Sequence, residues 1–101
     1  MAGRGRSPKR LKAAAYRYAD GGGPMPRELV YLSYYDRFGA ANVLGRPLSY
    51  GEIQRIVTAE GIVSAYRERK ASESWAVWAQ KNKQRARLLE QAMIAAEADD
   101  G

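Results

Sequence analysis

Apolar side chains recur along most of this chain at the spacing of an α-helix, and no stretch shows the period of two expected of a half-buried strand. Leu11, Ala14, Ala15 and Tyr18 fall within one arc about 100° wide on a helical wheel, with Lys9, Arg10, Lys12 and Arg17 on the opposite side. Ser7-Pro8 ahead of them offers an N-cap and a proline at the first helical position. Gly21-Gly22-Gly23-Pro24 ends this basic helix and reads as a hinge.

Pro26 can open a second helix, with Glu28 near its positive end, running to Gly39 as a C-cap. Tyr31, Tyr34, Tyr35 and Phe38 share one face of it, and Leu29 and Leu32 broaden the apolar surface. After a short irregular or helical piece, Leu48-Ser49-Tyr50-Gly51-Glu52-Ile53 forms the strongest local signal: Ser49 as N-cap, Glu52 at N3 to bond back, and Leu48 against Ile53 as a hydrophobic staple. The third helix places Ile53, Ile56, Val57, Val63 and Tyr66 inward, with Gly61 as a point where it can bend. Charged residues break the pattern near Ser72. A single final helix is then expected from Ser74 to Ala98, roughly 37 Å long. Trp75, Trp78, Ala79, Asn82, Ala86, Leu89, Met93 and Ala96 lie on one narrow stripe of it. Such a stripe suits packing on one or two helices or on a second copy, and Asn82 within it can set the register of a helix pairing.

Charge changes this picture by its placement. Arg4, Arg6, Lys9, Arg10, Lys12 and Arg17 all precede the first acid, Asp20; the other 11 of the 17 basic residues are balanced by 11 acids. The formal +6 thus belongs to the first 17 residues. Residues 1–23 are expected to be a basic arm, an amphipathic helix and a Gly-rich hinge, set apart from a neutral helical domain over residues 24–101. A cationic extension suits contact with a polyanion, and arginine, outnumbering lysine there four to two, suits bidentate phosphate contacts. The competing readings are a solubilising tail or a contact with an acidic protein or membrane. The apolar face offers little to insert in a bilayer.

A second basic cluster, Lys81, Lys83, Arg85 and Arg87, wraps two sides of the last helix, pairing 81 with 85 and 83 with 87. The tyrosines at 31, 34, 35, 50 and 66, with Trp75 and Trp78, are better placed for packing than for stacking bases, although seven tyrosines against one phenylalanine put several rings at a boundary with water. A helix-turn-helix over residues 53–70 fails, because Glu60, Arg67 and Lys70 occupy positions that should be buried. The chain has no cysteine and no histidine, its carboxylates show no metal-ligand spacing, and it carries no phosphate-binding glycine loop or nucleophile with a base. A non-enzymatic protein without cofactor or metal is expected. No apolar run is long enough to span a bilayer, and no apolar segment follows the basic start as a secretory signal requires.

The segments YYDRFGAANVLGRPLSYGEI and TAEGIVSAYRERKASESWAVWAQKN resemble small tailed-phage proteins encoded in the DNA-packaging and head-assembly region, near the large terminase. The resemblance rests on Asp36-Arg37-Phe38-Gly39, Gly45-Arg46-Pro47-Leu48, Ala59-Glu60 with Ile62-Val63, and Trp75-Ala76-Val77-Trp78. It spans roughly residues 35 to 93 and leaves the basic segment outside; Gly61 stands where that pattern has Asn, and Ser74 and Val77 also depart from it. These motifs read as caps, turns and core, not chemistry. The resemblance implies a packaging accessory similar in role to a terminase small subunit, in the host cytoplasm or the virion.

The expectation is therefore an all-α protein: a small helical bundle with a basic N-terminal arm and helix and a long C-terminal helix. Arg4, Arg6, Lys9, Arg10, Lys12, Arg17, Lys81, Lys83, Arg85 and Arg87 are the candidate contacts to nucleic acid, double-stranded DNA without sequence preference being expected. Trp75, Trp78, Asn82, Leu89 and Met93 are the candidate core or subunit interface of a homo-oligomer, with large terminase or portal as further partners. Two other functions remain open: a structural virion or head-assembly protein, and a small regulator that binds a host protein.

Overall fold

A computed structural model of the chain describes residues 8–38 and 45–100, without the side chains of Pro8, Phe38, Asp99 and Asp100. The predicted arm, with Arg4 and Arg6, the predicted C-cap Gly39 and residues 40–44 after it lie outside the described residues. The protein is all-α. Its elements are α1 (Pro8–Ala19), α2 (Arg27–Phe38), α3 (Tyr50–Lys70), α4 (Trp75–Lys81) and α5 (Lys83–Asp100).

The first helix departs most from expectation. It is not a leader set apart from the bundle: Leu11, Ala13 and Ala15 are fully or almost fully buried, and its pairings with α5 and α3 are the most extensive in the fold. One core cluster joins Leu11 and Ala15 of α1 to Leu29 of α2, Ile62 of α3, Trp78 of α4 and Leu89 of α5. A boundary at residue 23 would cut through that core. The physical reason is the size of the α1 side chains. Alanines that give a weak apolar stripe by hydropathy let helices approach closely, and Ala13 packs on Ala95 and Ala96 in a second small cluster.

The glycine run is likewise a hydrogen-bonded turn. Gly21 takes the left-handed conformation (φ +86°), Gly22 N–H donates to Arg17 O (2.8 Å) and Gly21 N–H to Tyr18 O (3.0 Å). That is a Schellman cap, which requires a residue tolerant of positive φ at position 21.

Contacts along the helices give their directions. Lys12 meets Gln91 and Arg17 meets Ala96, so α1 and α5 run parallel. Gly61 of α3 meets Leu88 of α5, and Glu68 pairs with Arg85. The bundle is thus α1, α3 and α5, with α2 leaning on α3. Gly61 does not break α3. It marks a close approach, since a Cβ there would lie 3.2 Å from Leu88 Cδ2.

Local signals behave as their chemistry demands at the start of α3. Glu52 N–H donates to Ser49 Oγ (3.1 Å) and Ser49 N–H donates to Glu52 Oε1 (2.8 Å), completing the capping box. Arg46 adds a bidentate pair, with both guanidinium nitrogens 2.8 Å from the Glu52 carboxylate. Beyond the cap, the inward face is Ile56, Ala59, Ile62, Val63 and Ala65. Ile53 and Val57, expected inward, are 41% and 58% exposed. They line a half-open cleft with Leu32 and Tyr35 of α2, Leu48 and Ile56. Glu28, in the first turn of α2, is buried and faces Arg55 Nε at 3.4 Å, fastening α2 to α3.

The single C-terminal helix is two. Asn82 leaves helical geometry (φ −132°, ψ 55°), and its backbone N–H and side-chain Nδ2 both donate to Trp78 O, at 2.9 and 3.0 Å. Asn82 therefore caps α4 and does not set the register of a pairing. An asparagine amide competes well for backbone carbonyls, which explains the break. Past it the inward stripe is Ala86, Leu89, Ala92, Ala95 and Ala96, while Met93 is 36% exposed; Trp78 and Leu89 are core, and Trp75 is half-buried.

Two outcomes follow. Deleting residues 1–20 removes a core helix, so the truncated chain should lose its cooperative thermal transition, and Leu11→Ala should cost about 2–5 kcal/mol by denaturant titration. A truncated chain that melts with the same transition as the full one would contradict the placement of α1. The Arg46 hydrogen bonds, aided by the Ser49 backbone, lower the Glu52 carboxyl from 4.5 to about 2. A carboxylate depressed on folding stabilises the fold above its unfolded value, so this contribution should be complete above about pH 4.5 and lost as pH falls through about 2. NMR titration of the Glu52 carboxyl carbon measures it, and Arg46→Ala should move the midpoint upward.

Candidate nucleic-acid interface

The basic residues of α1 divide into two kinds. Lys9 and Arg10 are exposed. Arg17 is half-buried, and its Nη2 donates to Ala96 O at 3.0 Å, near the C-terminus of α5. That helix carries no basic residue in its last turn, so a cation from α1 sits at the negative end of its dipole. Arg17 is a structural residue of the α1–α5 packing. Lys12 is intermediate: its Nζ donates to Gln91 Oε1 (2.8 Å), which keeps the ammonium on the seam between the two helices at the surface.

The second cluster is also divided. The break at Asn82 separates Lys81, on α4, from Arg85, on α5, so the expected pairing of 81 with 85 does not form one helical face. Arg85 turns toward α3 and pairs with Glu68. Lys83 and Arg87 remain together, one helical turn apart and exposed. They line an open groove of about 530 Å³ with Ala79, Ala86, Glu90 and Gln91. Neither takes part in an ion pair or hydrogen bond among the described residues.

Parallel packing brings the two sets of cations together. Lys83, Arg87 and Gln91 recur every four residues along one face of α5, and Gln91 is bonded to Lys12. Because α1 runs the same way, Lys9, three residues before Lys12, lies toward Arg87. Lys9, Lys12 and Arg87 thus follow one seam, which Lys83 extends by one turn of α5, from residues 71 or more positions apart in sequence that pattern reading treats as two clusters. One acid, Glu90, lines the same groove.

The tyrosines proposed at a boundary are found there: Tyr34, Tyr35 and Tyr50 are exposed, at 43%, 44% and 78%, and Tyr31 and Tyr66 are half-buried. Trp78 is buried against Trp75, with ring centroids 5.7 Å apart. Among the described residues, no group of three acidic side chains gathers to hold a metal ion, and no helix is long and apolar enough to cross a membrane.

No family model, curated protein or solved structure matches the chain.

Arg17 gives the sharpest test of the division between packing and contact cations. Arg17→Ala should lower stability by about 1–2 kcal/mol in chemical denaturation. Polyanion affinity of the folded variant should be unchanged. Lys9→Ala should do the reverse, weakening binding with stability altered by less than about 0.5 kcal/mol.

Proposed function

We propose that this protein is a non-enzymatic nucleic-acid-associated protein that holds phosphates along the α1–α5 seam, through Lys9, Lys12, Lys83 and Arg87, with Arg4, Arg6 and Arg10 adding charge ahead of it. The observation that carries the reading is the exposed Lys83–Arg87 pair, without a carboxylate partner among the described residues and aligned with the cations of α1. In a chain whose other arginines so often find acids (Arg46 with Glu52, Arg55 with Glu28, Arg85 with Glu68), unpaired cations on one seam are a standing attraction for a polyanion. Phosphate contacts of this kind carry no base information, so binding is tolerant of sequence.

The resemblance of residues 35 to 93 to tailed-phage proteins supplies a setting: a DNA-packaging accessory similar in role to a terminase small subunit, working as a homo-oligomer beside large terminase or portal. One observation favours the alternative of a head-assembly protein. Tyr34, Tyr35, Tyr50, Ile53 and Val57 leave a sizeable apolar and aromatic area uncovered on α2 and the start of α3. Such areas mark contacts with other proteins.

Salt dependence separates the readings. If Arg4, Arg6 and the four seam cations each neutralise a phosphate of duplex DNA, log affinity should fall against log salt with a slope of about −5, from about −0.9 per phosphate. Replacing Lys83 and Arg87 by Gln should reduce the slope by about 2. Removal of residues 1–6, which leaves α1 in place, should reduce it by a similar amount. An unchanged slope in the Lys83→Gln, Arg87→Gln double variant would remove the seam from the function, and no DNA binding by the full chain would favour the assembly reading.

A further inference from the structure

On another side of the bundle, α1, α3 and α5 and the start of α4 enclose a half-open concavity of about 250 Å³. Its walls are aromatic: Tyr16 meets Tyr66 edge-on, with centroids 5.6 Å apart and planes at 86°, and Trp75 completes the lining. Its charges are Arg69, Lys70 and Asp20.

Neither cation has a carboxylate partner among the described residues. The Arg69 guanidinium carbon lies 5.6 Å from the centre of the Trp75 ring, and Lys70 Nζ lies 5.9 Å from that of Tyr66. Arg69 Nε is buried and donates to nothing among the described residues. A guanidinium whose buried Nε lacks an acceptor among the described residues and whose neighbour is an aromatic face favours an anion. The one acid of the site, Asp20, accepts the Tyr66 hydroxyl proton in a hydrogen bond, and that donation is the main reason the phenol is pushed up to about 12. The bond holds Tyr66 neutral and in place and fixes the carboxylate at the edge of the cavity.

The groups present complement one another in a recognisable way. Two cations suit a phosphate. Ring edges and faces, with Met93 beneath, suit a flat heteroaromatic group. A fixed carboxylate accepts from an exocyclic amine, the contact by which acidic side chains read cytosine. The volume falls just below the roughly 300–1,000 Å³ of sites for larger organic ligands, which fits one nucleotide and no more.

We propose that this concavity binds a single nucleotide bearing an amino base, free or as an unpaired unit of a strand, with Arg69 and Lys70 on its phosphate, Tyr16, Tyr66 and Trp75 around its base, and Asp20 on the exocyclic amine. The site is separate from the α1–α5 seam and shares none of its four cations.

Tryptophan emission reads it directly, because Trp75 lines the site and Trp78, the second of the two tryptophans, is buried. The full chain is titrated with cytidine 5′-monophosphate, ribose 5-phosphate, inorganic phosphate, an oligodeoxycytidylate and a DNA duplex. Saturable quenching by the nucleotide is expected, with ribose 5-phosphate and inorganic phosphate at least about tenfold weaker, the factor that one stacked base supplies. Arg69→Gln with Lys70→Gln should weaken the nucleotide by about tenfold or more. Met93→Tyr, at a position already 36% exposed, should block the cavity without adding a second indole to it while the fold persists, which covers a failure of the charge variant to fold. Quenching by the oligonucleotide at lower concentration than the free nucleotide assigns the site to single strands; the opposite order assigns it to free nucleotides. Lys83→Gln with Arg87→Gln should leave nucleotide binding intact, so loss of the seam and loss of the pocket are told apart. Equal affinity for inorganic phosphate and the nucleotide, absence of saturable quenching, or quenching unaltered in both pocket variants would each overturn the proposal.

Discussion

The close packing of α1 against α5 and α3 is the contact on which the rest of the structure depends. Ala13 and Ala15 present almost no side-chain bulk, and Ala59, Ala65, Ala92, Ala95 and Ala96 are buried in the helices around them. Helices that meet through alanine come close, so a few large side chains, Leu11, Ile62, Trp78 and Leu89, are enough to fill the remaining core. The same approach delivers Arg17 to the end of α5 and Lys12 to Gln91. Remove α1, and α3 and α5 each lose the surface they bury most against.

That packing also decides what the basic charge can do. A leader free of the bundle would offer all its cations alike. Built into the bundle, α1 commits Arg17 to a carbonyl, holds Lys12 on a seam and leaves Lys9 in line with Lys83 and Arg87. The other side of the same helix gives Tyr16 and Asp20 to the aromatic concavity with Arg69 and Trp75. Two chemically different surfaces, one suited to a chain of phosphates and one to a single flat anion, therefore share one buried helix as their common wall. Charge that looks like a tail property becomes a property of helix placement.

Several features were legible in the residues because they are local. Ser49 and Glu52 meet within one turn, so their reciprocal bonds need no tertiary partner. The glycine run ends α1, and a helix starts next to Ser74, as the residue types there predict. The Lys83–Arg87 pair follows from helical periodicity alone. By contrast, the burial of α1 was hidden because alanine scores weakly on any hydropathy scale, and close approach is a property of two surfaces. The exposure of Ile53 and Val57 was hidden for the converse reason: a periodic apolar face says nothing of whether a neighbouring helix reaches that far.

By its residue pattern this chain determined that it is helical, where most of its helices begin and end, and which side chains bear its excess charge, since periodicity, capping and ionisation act within a few residues. Tertiary structure alone decided that the first helix is core, that Arg85 and Arg17 serve packing, and that Tyr16, Tyr66, Arg69 and Trp75 share one cavity. Those outcomes depend on which surfaces meet across 17 to 79 residues of chain, and contact energies between helices are set by shape and distance that no local pattern encodes.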